Sequence, residues 1–214
     1  MSTPSTKTDI LDAAETLFAA RGYDATSIRE ITRVAEVNVA AIHYHFGSKE
    51  AVLRGVTDRI VGPLNGRRFE LLDAAIADAA PDHPSLETVL LAFIRPDVEV
   101  LQHLQQRGPT VAHFLGRTYG DPTPWIREMA SEQFSEAAAR FLPVIASCLP
   151  GLGGEELGWR MSQIATLVVL LFTTWPDGGM TDDEADLALA RIVGFSTAAL
   201  HARIPDVEVV TRSG

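Results

Sequence analysis

The sequence predicts an all-α protein, and three observations carry that prediction. Apolar residues recur at helical spacing, as at Ile10, Ala13, Ala14, Leu17 and Phe18 on one helix face. Helix-start signals, such as Ser27 with Glu30, stand where those patterns begin. No pair of alternating strands, no repeat and no low-complexity segment breaks the pattern. The reading is an N-terminal tri-helical unit over residues 1–54 and a C-terminal helical bundle over 55–214, about nine helices in all.

The first helix should stop at Gly22, which lacks the Cβ that opposes a left-handed backbone. Ser27 and Glu30 form an S-x-x-E capping box that opens a short second helix with Ile28, Ile31 and Ala35 inward. A turn at Glu36–Val37–Asn38 follows, with Asn38 placed to cap a third short helix through Phe46. Gly47–Ser48 ends that helix, and a fourth begins near Lys49. Gly62–Pro63 should kink or interrupt it, and Pro96 should bend the segment from Ser85 to Arg107. Pro81–Pro84 reads as a linker, while Gly108–Pro109, Gly120–Pro122 and Pro150–Gly154 separate later helices. The segment Glu155–Trp175 is apolar all round and should be buried on more than one side. The last helix, from about Thr181 to Ile204, starts with acids beside its positive end.

Composition narrows the function. Of 214 residues 46% are hydrophobic and 21% charged, so extended disorder and collagen-like structure are excluded. A single cysteine, Cys148, leaves no internal disulfide and no multi-cysteine zinc site, and it reads as a small apolar residue at a helix end. A net charge of −10 argues against nonspecific coating of nucleic acid but leaves room for a small specific reading surface. Met1–Ile10 is too polar for a signal peptide, and the apolar run Ile164–Trp175 is too short to span a bilayer, so a cytoplasmic protein is expected. Gly151–Gly154 runs into two glutamates and is no phosphate loop, and no Gly-x-Ser-x-Gly elbow occurs; no catalytic site or cofactor is expected.

Two short helices joined by a three-residue turn and braced by a preceding helix are a helix-turn-helix arrangement. Ile28, Ile31, Val37 and Ile42 supply its apolar inside. Asn38, Val39, Ala40, His43 and Tyr44 then face outward, with side chains at Val39–Ala41 small enough for close approach to a groove. Phe46 reads as core and Tyr44 as a phosphate contact. His43 and His45 lie two apart on different helix faces, so a shared metal is not expected.

Residues 10–53 resemble the N-terminal domain of the TetR family of transcriptional repressors. AAETLFAARGYDATSIREI, the turn, and AAIHYHFGSKEAVL carry the likeness, most specifically YHF followed by GSKE. His43 departs from the tyrosine most common there. The resemblance implies a homodimer on a near-palindromic double-stranded DNA operator, released by a small-molecule effector in its C-terminal domain. It assigns phosphate contacts to Thr26 and Ser27, base or phosphate contacts to Asn38, Val39, Ala40, His43 and Tyr44, and backbone contacts to His45 and Lys49. An activator would use the same reading head, and a helical protein-interaction adaptor is the further alternative.

Charge is divided accordingly. Residues 1–54 hold six basic and seven acidic groups, whereas the remaining residues hold twelve and twenty-one. In the C-terminal part Phe93, Leu104, Arg117, Trp125, Phe134, Gln163 and Phe172 are the candidate effector contacts. A buried Arg117 would point to a carboxylate or acyl effector. Leu189, Ile192, Val193, Ser196, Ala199 and Leu200, together with the Glu155–Trp175 helix, are expected to build a four-helix dimer interface.

Overall fold

The computed structural model describes residues 6–107, 110–174 and 179–203, except the side chains of residues 104–107 and 174. Nine helices and no strand occur among the described residues. The first, α1 (Thr6–Arg21), ends at Gly22, whose φ of 81° is the left-handed stop and whose N–H donates to Phe18 O. Next, α2 (Ile28–Val34) opens on the expected capping box: Ser27 accepts from the Glu30 N–H and Glu30 accepts from the Ser27 N–H. Helix α3 (Val39–His45) is capped by Asn38, whose Oδ1 accepts from the Ala41 N–H at 2.9 Å. Gly47, at φ 82°, closes its far end by donating to Ile42 O, and Ser48 caps α4 (Lys49–Ala79).

Buried Ile10, Ala14, Leu17 and Phe18 of α1 share a core with Ile31, Ile42, Val52, Leu53 and Val56. Each fully buried large side chain contributes roughly 1.5–3 kcal/mol. The same α1 lies on α6 (Thr110–Tyr119), and this fixes the three short helices to the bundle. The bundle is completed by α5 (Leu86–Arg107), α7 (Pro124–Cys148), α8 (Gly154–Thr174) and α9 (Asp182–His201). Helix α5 lies between α4 and α9. Cys148 ends α7 half-buried, and burial raises its thiol pKa.

Several expectations are corrected. Pro63 does not interrupt its helix: α4 continues through it, as α5 does through Pro96. Pro63 occupies the exposed side of α4 while Leu64 and Arg68 on the core side keep that helix packed. The stripe expected to form a dimer instead packs inside the chain: Leu189, Ile192, Val193, Ser196 and Leu200 are buried, and α9 lies on α5. On α8, one stripe is buried (Leu157, Met161, Ile164, Val168, Phe172), whereas Trp159 is 60% and Leu170 50% exposed. Trp175, Ile204, Gly108 and Pro109 lie outside the described residues.

The approach of α6 to α8 is set by Gly116. A Cβ there would stand 2.9 Å from Thr173 Cγ2 and 3.2 Å from the Phe172 carbonyl oxygen. Gly116→Leu is therefore expected to destabilise the fold by about 1–3 kcal/mol, measured as a lower urea midpoint at unchanged slope. A midpoint equal to wild type would contradict the close crossing.

Candidate nucleic-acid interface

The outward face of α3 forms as expected from its register. Asn38, Val39, Ala40, His43, Tyr44 and His45 are all exposed, Tyr44 at 85%. Ile42 faces the other way and is fully buried. His43 Nδ1 lies 3.1 Å from Gly47 O. A carbonyl can only accept, so Nδ1 carries the proton and a neutral His43 presents Nε2 to solvent as an acceptor. Val39 and Ala40 add methyl groups to the same surface, and Ser27, exposed at the start of α2, lies at its flank. Phe46 is half-buried, with the Lys7 ammonium 5.8 Å from its ring centre.

Two of the expected contact residues are occupied elsewhere. Thr26 is only 1% exposed, and its hydroxyl donates to Gly22 O at 2.8 Å. This ties the α1–α2 corner instead of reaching outward. The Lys49 ammonium donates to Tyr23 O and Thr26 O, each at 3.0 Å, and sits 3.8 Å from the centre of the Tyr23 ring. A cation with those partners is a brace between the α1–α2 corner and the start of α4. From the other side, the Tyr23 hydroxyl donates to Glu50 at 2.7 Å. Burial and the Glu50 carboxylate together raise the Tyr23 pKa, while the same hydrogen bond holds Glu50 below its ordinary value.

This braced corner joins the bundle directly. Trp125 of α7 meets Tyr23 edge-on at 4.9 Å between ring centres. Farther along, Arg54 pairs with Glu132 at 2.6 Å, Gln133 donates to Asp58 at 3.0 Å, and Arg59 binds Asp12 and Glu15 of α1. The first half of α4 is thus tied to both α1 and α7.

The candidate effector contacts separate. Phe93, Phe134 and Phe172 line a central space of about 10 Å³, room for a single water, where α4 to α8 converge. Phe93 and Phe134 also border a neighbouring cavity of about 210 Å³ between α7 and α8. Trp125 belongs to the corner just described, because its ring is committed to Tyr23. Gln163 faces the outer groove of α8 and α9 with Trp159 and Phe195. Arg117 is exposed, which removes the reason for a carboxylate partner there, and the Leu104 side chain lies outside the described residues.

Sequence reasoning missed most of the polar part of the central space: Asn65, Arg68, Asp97 and Gln133, which line it with Tyr119. Arg68 donates to Phe93 O, Asn65 Oδ1 and Asp97 Oδ2, and the Arg68–Asp97 pair, at 2.5 Å, is buried. Burial raises the Asp97 pKa against the opposing pull of Arg68, and burial raises that of Tyr119. A signal existed: Val61, Leu64, Arg68 and Leu72 follow one apolar stripe with an arginine in a core position. Among the described residues no cluster of His, Cys, Asp or Glu suits a metal, and no helix is long and apolar enough to cross a membrane.

Comparison with known proteins agrees with this geometry. Residues 10–56 match the profile of bacterial regulatory proteins of the tetR family, and residues 91–199 match a tetracyclin repressor-like C-terminal domain. The chain is 37% identical over 106 residues to the HTH-type transcriptional repressor Rv3405c of Mycobacterium tuberculosis, covering 50% of this chain and 55% of that protein. It thus spans about half the length of that curated relative. It is 42% identical over 60 residues to the HTH-type transcriptional repressor KstR2 of Rhodococcus jostii, covering 26% and 29% of the two chains. In fold it is similar to the fatty acid degradation regulator FadR of Bacillus halodurans, with a TM-score of 0.66 over 92% of this chain and 98% of that one, at 13% identity. It is also similar to PfmR of Thermus thermophilus, with a TM-score of 0.62 over 95% and 100%, at 14% identity.

The corner carries an acid sensitivity. Glu30 in the capping box and Glu50 beside Tyr23 are both held below the ordinary carboxylate pKa. A depressed pKa contributes stability above the unfolded value and loses it as pH falls through the folded one. Thermal unfolding followed from pH 6 to pH 3 is expected to show a declining midpoint below about 4.5, with Glu50→Gln flattening part of the decline. An identical pH profile in that variant would contradict the Tyr23–Glu50 contribution.

Proposed function

Because the chain belongs to the TetR family of transcriptional regulators, DNA-binding proteins and not enzymes, we propose that it acts as a homodimeric, effector-released repressor of a near-palindromic operator. Residues 1–54 are the DNA-reading unit and residues 55–214 the regulatory and dimerising unit, with α4 running through both. The observation that supports DNA reading best is the shared exposure of Asn38, Val39, Ala40, His43 and Tyr44 on a short helix anchored by Ile42.

Each group has a role suited to its chemistry. Val39 and Ala40 suit van der Waals contact with thymine methyl groups, and His43 Nε2 suits the exocyclic amino group of adenine or cytosine. Tyr44, Ser27 and His45 donate to phosphates at the groove edge, and Asn38 caps α3 with one end of its amide while exposing the other. Thr26 and Lys49 act indirectly here, by holding the angle between α1, α2 and α4.

Dimerisation is assigned to the exposed stripes of α8 and α9, with Trp159 at 60%, Leu170, Leu187 and Phe195 at 64%. These large apolar side chains are exposed among the described residues, and a two-fold pair of reading heads requires such an interface. Effector release runs through α7: Phe134 lines the central space, while its neighbours Glu132 and Gln133 hold Arg54 and Asp58 of α4. A ligand that displaces Phe134 shifts the support of α4 and changes the spacing of the two α3 helices.

Footprinting on DNA upstream of the reading frame tests this reading. Protection of two half-sites one helical turn or a multiple apart is expected, weakening as salt rises. Tyr44→Ala should lower operator affinity by about tenfold or more in gel-shift titration while leaving the thermal midpoint near wild type. Phe195→Glu should sediment as a monomer and lose the footprint. Unprotected DNA, or a wild-type monomer at micromolar concentration, would overturn the proposal.

A further inference from the structure

The group hardest to explain by stability alone is the buried Arg68–Asp97 pair. Five helices, α4 to α8, bring apolar side chains to the centre of the bundle, yet Asn65, Arg68 and Asp97 are buried among them. Removing two charges from water costs several kcal/mol each, and a packed apolar replacement is often as stable or more so. The pair lines the central space together with Tyr119, Gln133 and the apolar Phe93, Leu115, Phe134 and Phe172, and none of its polar groups lines the neighbouring cavity. Phe93, Phe134 and Ala165 also border the cavity of about 210 Å³. A turn of the half-buried Phe134 ring would join the two spaces into one elongated apolar pocket with a polar end.

We propose that this pocket takes an uncharged amphiphile, a hydrocarbon skeleton bearing a hydroxyl or carbonyl head, with the head seated against Arg68, Asp97 and Tyr119. The proposal rests on the effector-released reading above and names the chemistry of that effector. Charge decides the head group. Arg68 already has three acceptors, one of them the Asp97 carboxylate, so the polar end is neutral as a unit. An anionic head beside Arg68 would stand against the Asp97 carboxylate and be repelled by it in a site of low dielectric. A cationic head would face the guanidinium. A hydroxyl can donate to the carboxylate and accept from the guanidinium or Tyr119 without breaking the pair. Hydrocarbon suits the remainder, because the aromatic and aliphatic lining offers little else to bind.

The test is direct binding to the purified full-length protein at pH 8, by titration calorimetry, with 1-octanol, octanoate and octylamine as length-matched probes. Octanol is expected to bind at least tenfold more tightly than either charged probe. In Asp97→Asn, which leaves Arg68 without its anion, octanoate should overtake octanol. Phe134→Trp, which fills the passage between the two spaces, should abolish octanol binding; it decides the location if Asp97→Asn does not fold. Octanoate or octylamine binding wild type as tightly as octanol would overturn the inference. So would the absence of binding by every probe, or octanol binding unchanged in Phe134→Trp. Operator binding without probe is measured on the same preparation, so loss of the DNA-reading proposal registers separately from loss of this one.

Discussion

A helix of seven residues cannot hold its own shape in water, because nucleation costs more than so few hydrogen bonds return. Helices α2 and α3 are both that short, and whatever α3 does in a groove depends on what holds it. Two devices do so. Ile31 and Ile42 are fully buried in the core that α1 shares with α2 and α3, and caps at Ser27, Asn38 and Ser48 take up the first amides of three successive helices. The Lys49 ammonium then fastens two carbonyls of the α1–α2 corner to the start of α4. The outward face of α3 is consequently anchored at its base and exposed at its surface, an arrangement that suits the proposed contacts with base edges.

The same anchors tie the tri-helical unit to the bundle. Tyr23 lies at the joint, touched by Lys49 and Glu50 from one side and by Trp125 from the other. One helical stretch of α7, from Trp125 to Gln133, therefore contacts the corner, the first half of α4 and the centre of the bundle. The polar residues at that centre are expensive to bury, and their position beside a nearly closed space is more readily understood as recognition than as stability. For the proposed effector-released repressor, α4 and α7 are the direct physical link between the braced corner and the central space.

How much of this could be read from the residues differs by region. Caps and glycine stops were legible because they are local: Ser27 with Glu30, Asn38, and Gly22 act on amides three or four residues away. The outward face of α3 was legible because buried Ile42 fixes the rotation of a seven-residue helix. The intramolecular partners of Thr26 and Lys49 were not legible, because a hydroxyl or ammonium goes to whichever acceptor the fold brings closest, and here those are the Gly22, Tyr23 and Thr26 carbonyls. That Trp125, Arg117 and Gln163 lie apart from the central space was not legible for a related reason. An amphipathic pattern says that a face is apolar, not which neighbour covers it.

The sequence by itself determined the helical class and the caps and stops of the tri-helical unit, since these follow from spacing and backbone chemistry within a few residues, and its YHF and GSKE strings carried the resemblance to the family. Tertiary structure alone decided that the apolar stripe of α9 closes onto α5 while Phe195 and Trp159 stay outside, and that Arg68 meets Asp97 twenty-nine residues away. Such choices depend on which helices meet and at what separation. That is a property of packing many side chains at once, and no local pattern carries it.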